Sequence, residues 1–126
     1  MRCLLDTNAW LWWLNDHSRL NDNARAVITN PDNQIYVSAV NVWEVSVKEA
    51  KGFLDLGEDF DQELASQSFL PLSITYHHAR RAAYLPPLHK DPFDRLLVAQ
   101  SMIESLTLIT SDRLLQRYGI SVIEAA

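Results

Sequence analysis

Asp6, Glu44, Asp91, Asp94 and Asp112 are the acids of this 126-residue chain whose positions suit chemistry. Carboxylates crowded together repel one another and raise one another's pKa unless a cation compensates. The rest of the sequence says which cation. Cys3 is the single cysteine, and His77, His78 and His89 form no H-x-x-x-H pair. A ligand set made of oxygen points to a hard ion, Mg²⁺ or Mn²⁺, rather than zinc. Carboxylate-held ions of this kind can place and activate a water and neutralise charge that develops on an oxygen. The charge balance agrees. Lys and Arg total 11 and Asp and Glu 16, so 11 − 16 = −5, which argues against a protein that holds nucleic acid by a large basic field. Setting the five acids aside leaves 16 − 5 = 11 against 11, so the whole excess equals the proposed cluster.

The elements that must position these acids can be read in order. Arg2 to Asp6 is a short apolar run ending on an acid, followed by a polar turn and a tryptophan-rich helix over Ala9 to Leu14. Asn21 to Thr29 fits a second helix, and Gln34 to Val37 a second strand. Ser38 is an N-cap for a helix over Ala39 to Lys51, closed by Gly52. Asp55 to Glu63 carries five acids, a solvated stretch, and leads into a helix over Leu64 to Phe69. Leu70 to Ile74 reads as a third strand that Pro71 confines to a strand start or a sheet edge. Thr75 to Tyr84 is helical with Arg80 and Arg81 outward, and Pro86-Pro87 stops it. Asp91-Pro92-Phe93-Asp94 is the clearest helix start, with an acid at the cap, proline first and an acid third. Leu106 to Thr110 is strand four, a short helix runs from Ser111 or Asp112 to Tyr118, and Ile120 to Ile123 is the last strand. Strands alternating with helices predict an α/β fold, one three-layer domain over 1–126 with a mostly parallel, about five-stranded sheet flanked by helices.

In such a fold the strand ends and the helix starts share one rim, where open α/β sheets bind ligands. All five acids map to that rim. Each also has a plainer reading: Asp91 and Asp112 as caps, Asp94 as a favourable charge at a helix start, Asp6 in an Asx-turn, Glu44 paired with Lys48 four residues on. Glu44 resists it most, because Val40 and Val47 stand one turn to either side and a buried acid there needs a partner. His17, His77 and His78 are expected in turns or at the surface, while His89 falls close to the rim.

The segments Leu4-Leu5-Asp6-Thr7-Asn8, Ser38 to Glu44, His89-Lys90-Asp91-Pro92-Phe93-Asp94-Arg95 and Thr110-Ser111-Asp112 together resemble the PIN-domain ribonucleases, in particular the toxins of VapBC-type toxin–antitoxin pairs. The resemblance runs from the first strand to the last. It implies a parallel sheet, a Mg²⁺- or Mn²⁺-dependent endoribonuclease, and inhibition by a co-expressed antitoxin. Asp6, Glu44, Asp94 and Asp112 match the acidic quartet of that family, with Asn8 and Thr110 or Ser111 at its polar supporting positions. His89 and Asp91 match the H-x-D-P-F-D-R form of one branch, where their role is open. Asp6 and Asp94 are the expected direct ligands, with Asp112 and Glu44 completing the set directly or through water and one of them taking a proton from the attacking water.

Around the rim, Lys48, Lys51, Lys90, Arg95 and Arg113 are candidates for RNA phosphates, against the ordinary reading of solvated cations. Trp10, Trp12 and Trp13 cannot all face one core from one short helix, so at least one ring is expected at the surface, in a homodimer interface or in a groove for an antitoxin segment. The lone cysteine and the absence of a signal-peptide pattern or of ~18 consecutive apolar residues lead to a cytoplasmic, non-membrane expectation. Rival classes remain. A phosphoacceptor signalling domain would want a lysine after the last strand, and an aspartyl-nucleophile phosphatase a second acid where Asn8 stands. A PIN-like binding module with a dead site is disfavoured by the intact acids.

Overall fold

A computed structural model describes all 126 residues. Its strands are β1 (Arg2–Leu5), β2 (Gln34–Ser38), β3 (Leu70–Leu72), β4 (Thr107–Thr110) and β5 (Val122–Glu124). Its helices are α1 (Thr7–Leu14), α2 (Asp22–Thr29), α3 (Ala39–Ala50), α4 (Phe60–Ser66), α5 (Tyr76–Tyr84) and α6 (Pro92–Glu104), with a 3₁₀ helix over Arg113–Tyr118. The strands form one sheet in the order β3-β2-β1-β4-β5, and every neighbouring pair is parallel. Parallel neighbours need crossover segments, and these lay helices over both faces, giving the three layers.

Side chains alternate across a strand, so the sheet divides two cores. Cys3, Leu5, Ile35, Val37 and Ile109 point to one, which Trp10, Ala24 and Ile28 close. Leu4 and Leu108 point to the other, filled by Val40, Leu97, Val98 and Leu115. Burial of Cys3 in the first core pushes its thiol pKa up.

Several expectations are corrected. The helix expected at Leu64 to Phe69 is α4, four residues earlier at its start. Asp61 and Glu63 lie in its first turn, where acids are favourable, and Phe69 instead packs against the first core as the chain enters β3. β3 is shorter than Leu70 to Ile74 and lies at the sheet edge, where the missing N–H of Pro71 breaks no inner ladder. β5 begins at Val122 rather than Ile120, because Gly119 turns the chain out of the 3₁₀ helix at φ +78°. His78 is not a surface residue. It is fully buried at the third position of α5, where its Nδ1 accepts from the Thr75 N–H at 3.0 Å and its Nε2 lies 3.1 Å from Glu104 Oε1. Among the α1 tryptophans, Trp10 is buried and Trp12 and Trp13 are half-buried, against Arg19 and Phe69 respectively. The half-exposed tryptophan is Trp43 of α3. No helix is long and apolar enough to cross a membrane.

Candidate active site

From β1 the chain builds the sheet outward through β2 and β3, then returns to the other side of β1 with β4 and β5, so the order reverses between β1 and β4. A crevice opens at the carboxyl ends of strands at such a point. Asp6 follows β1 directly, and its N–H donates to the Ile109 carbonyl of β4 at 2.9 Å. Its Oδ1 accepts from the Ala9 N–H at 2.8 Å and caps α1, which replaces the Asx-turn reading. Burial raises its pKa to about 6, opposed by hydrogen bonds from the Thr110 hydroxyl and the Ala9 and Ser111 amides, with the Glu44 charge raising it further.

Asp94 stands on the first turn of α6 and is raised further, to about 7. Burial is the largest cause, the charges of Asp91, Asp6 and Glu44 add to it, and His89 opposes it. Three acids from β1, α3 and α6 thus feel one another across the reversal point. Asp91 supplies the cap of α6, its Oδ1 accepting from the Phe93 and Asp94 amides at 2.8 and 3.3 Å.

Glu44 is buried and held on both oxygens. Thr7 Oγ1 donates to Oε1 and Lys48 Nζ to Oε2, each at 2.6 Å. Both sequence readings of Glu44 hold together, since the buried acid has its partner and Lys48 pairs with it. Asn41 Nδ2 donates to Thr7 Oγ1 and to the Leu5 carbonyl at 3.1 Å, tying α3 to the end of β1. Thr7 and Asn41 were missed as site residues. The available signals were the Ser38-to-Asn41 capping box and the three-residue step from Asn41 to Glu44, which puts both on one helix face.

Asp112 follows β4. Its N–H donates to Thr110 Oγ1, its Oδ1 accepts from the Leu114 N–H at 3.0 Å, and its Oδ2 lies 2.8 Å from His89 Nε2. His89 Nε2 is also 3.4 Å from Asp94 Oδ2, and one donor atom from each of His89, Asp94 and Asp112 falls within 4.8 Å of the others. Desolvated, mutually repelling carboxylates fit a hard divalent cation. Of the remaining predicted residues, Asn8, Lys51 and Lys90 are exposed and Arg113 lies 3.4 Å from Glu124. Arg95 turns its guanidinium into the loop before α6: Nη2 donates to the Ala82 and Leu85 carbonyls at 2.8 and 2.9 Å, Nη1 to those of Pro86 and His89 at 3.1 and 3.2 Å.

The sequence pattern of the PIN domain matches residues 3–120. The chain belongs to the PIN domain family. Solved structures share the fold of this PIN domain over its length. VapBC2 from Rickettsia felis, bound to a DNA fragment from its promoter, aligns with a TM-score of 0.71 at 17% identity, covering 98% of both chains. FitAcB from Neisseria gonorrhoeae gives 0.69 at 23% identity, covering 99% of this chain and 98% of that one. A toxin–antitoxin complex from Klebsiella pneumoniae gives 0.69 at 18%, covering 98% of both. No curated protein sequence matches the chain closely.

Proposed function

We propose that this PIN domain is a Mg²⁺- or Mn²⁺-dependent endoribonuclease, the toxin of a type II toxin–antitoxin pair restrained by a cognate antitoxin. The observation that carries it is the meeting of Asp6, Glu44 and Asp94 at the reversal point, with the pKa of Asp6 raised to about 6 and that of Asp94 to about 7. Family membership supports nuclease chemistry, and structural likeness to VapBC2, FitAcB and the Klebsiella complex supports the toxin role. The phosphoacceptor alternative loses ground to the strand order, since signalling domains of that kind follow the flavodoxin-like 2-1-3-4-5 arrangement.

Asp6 and Asp94 would hold the metal directly, with Asp112 and Glu44 completing the set directly or through water. When bound, the ion would offset the negative charge developing on the phosphoryl and leaving oxygens. Thr7 and Lys48 hold and aim Glu44, which suits it to take the proton of the attacking water. Thr110 and the Ser111 amide steady Asp6, and Asn8 sits exposed beside it. Lys90, Arg113 and the free face of Lys48 are the phosphate contacts of this reading, while Arg95 contributes through the loop it holds. The homodimer belongs to the same proposal, with Trp43 rather than α1 as its aromatic surface. A small open reading frame just upstream would supply the antitoxin, and light scattering of the purified chain reads the dimer. Partner-free protein is expected to cut RNA with Mg²⁺ or Mn²⁺ and to stop with EDTA; parental cutting by both Asp6→Asn and Asp94→Asn would place the site elsewhere.

A further inference from the structure

His89 and Asp91 have no part yet in this chemistry, although they open the His89-Lys90-Asp91-Pro92-Phe93-Asp94-Arg95 segment. The loop that carries His89 is clamped from two sides. Arg95 donates to the Pro86 and His89 carbonyls, and Tyr118 Oη accepts from the His89 N–H at 3.0 Å while donating to the Pro86 carbonyl at 2.9 Å. The ring is therefore delivered to one place, largely buried.

Its two nitrogens meet different partners. Nδ1 lies 3.0 Å from the Asp91 backbone nitrogen, and an N–H can only donate. Nδ1 must then be the bare, accepting nitrogen, and the ring proton sits on Nε2. Nε2 faces Asp112 Oδ2 at 2.8 Å, with Asp94 Oδ2 at 3.4 Å. By proximity alone His89, Asp94 and Asp112 look like a three-ligand metal set. A protonated nitrogen has no lone pair for a metal, so the tautomer decides against that reading for His89.

We infer that His89 is a positioning residue, locked as an Nε2–H donor by the Asp91 backbone, which aims the Asp112 carboxylate toward Asp94 and leaves the metal an all-oxygen set. The two-residue step from His89 to Asp91 follows from this, because Nδ1 reaches the amide two positions on while the side chain of Asp91 caps α6. Asp112 keeps capacity for a cation, since a carboxylate offers about four lone-pair sites and Leu114 and His89 take one on each oxygen. The inference rests on the metal-dependent reading of the site.

Long-range ¹⁵N–¹H correlation of the imidazoles in the unaltered protein tests the lock without any substitution. At pH 7.5, with and without Mg²⁺, His89 is expected to show a bare Nδ1 and a protonated Nε2. Loss of the Nε2 proton when Mg²⁺ is added, or a protonated Nδ1, overturns it. In Mn²⁺ titrations followed by the free-ion EPR signal, His89→Ala is expected to weaken binding about 10- to 100-fold. His89→Gln, which keeps an N–H donor, is expected to recover most of that loss. Unchanged binding in His89→Ala, or a His89→Gln as weak as alanine, overturns the positioning role. A parent that binds Mn²⁺ but cuts no RNA would strike the nuclease reading alone, and leave the tautomer and binding results to be judged separately.

Discussion

At the scale of single residues, the site is built from groups the fold destabilises. Asp94 carries a carboxyl raised to about 7, so at pH 8 its charge is held against burial and against Asp91, Asp6 and Glu44. Asp94→Asn removes that charge with little change of shape. The metal-free variant is expected to be more stable than the parent at pH 8 by roughly 1–3 kcal/mol, since each pKa unit corresponds to ~1.4 kcal/mol, while RNA cleavage falls by at least about 100-fold. Thermal unfolding and a cleavage assay read the two halves, and a variant that loses stability together with activity contradicts the account. Thr7 acts in the opposite sense. Thr7→Val leaves Glu44 Oε1 and Asn41 Nδ2 without their shared partner, and a cost of about 1–3 kcal/mol in denaturant unfolding is expected. Asp6 and Asp94 were legible in the sequence because each sits at an element boundary beside apolar residues. Thr7 was not, and His89 was legible by its place near the rim but not by its role, since their partners lie 37 and 23 positions away.

At the scale of elements, boundaries set by local chemistry were legible and those set by packing were not. Ser38 before α3 and Asp91-Pro92 before α6 cap their helices as read, because the capping oxygen and the amides it meets lie within three residues. The end of α4 and the end of β3 depend on how Phe69 and Leu72 meet the two cores, which no local pattern states. The same holds for Arg95, whose acceptors lie 6 to 13 positions away. Arg95→Lys keeps the charge and loses the planar fork. Faster amide exchange at His89 and lower cleavage are expected, with exchange in β1 and β4 unaltered; an unchanged loop would show that the clamp does not hold it.

At the scale of the whole molecule, the net charge of −5 acts through linkage. The folded pKa values of Asp6 and Asp94, about 6 and about 7, lie above the ordinary 3.8, so the native state binds more protons than the unfolded chain between them. This contribution is fully present below about pH 4 and is lost as pH rises through 6 to 7. Metal-free protein is expected to melt lower at pH 8 than at pH 5.5, and Mg²⁺ or Mn²⁺ to raise the melting temperature more at pH 8, where the carboxylates are ionised. A pH-independent melting temperature, or equal stabilisation at both values, would show that these acids are not the metal site. The acidity that argued against a basic-field binder is, in this reading, the charge the cation neutralises.

The central claim is that carboxylates at the β1–β4 reversal hold a metal that cuts RNA. The direct measurement is cleavage of a labelled RNA by partner-free protein, comparing the parent, Asp6→Asn and Asp94→Asn in Mg²⁺, Mn²⁺ and EDTA. The parent is expected to cut with either ion and not in EDTA, and both variants to lose at least about 100-fold. Cutting that persists in EDTA, or that both variants retain at the parental rate, would contradict that claim.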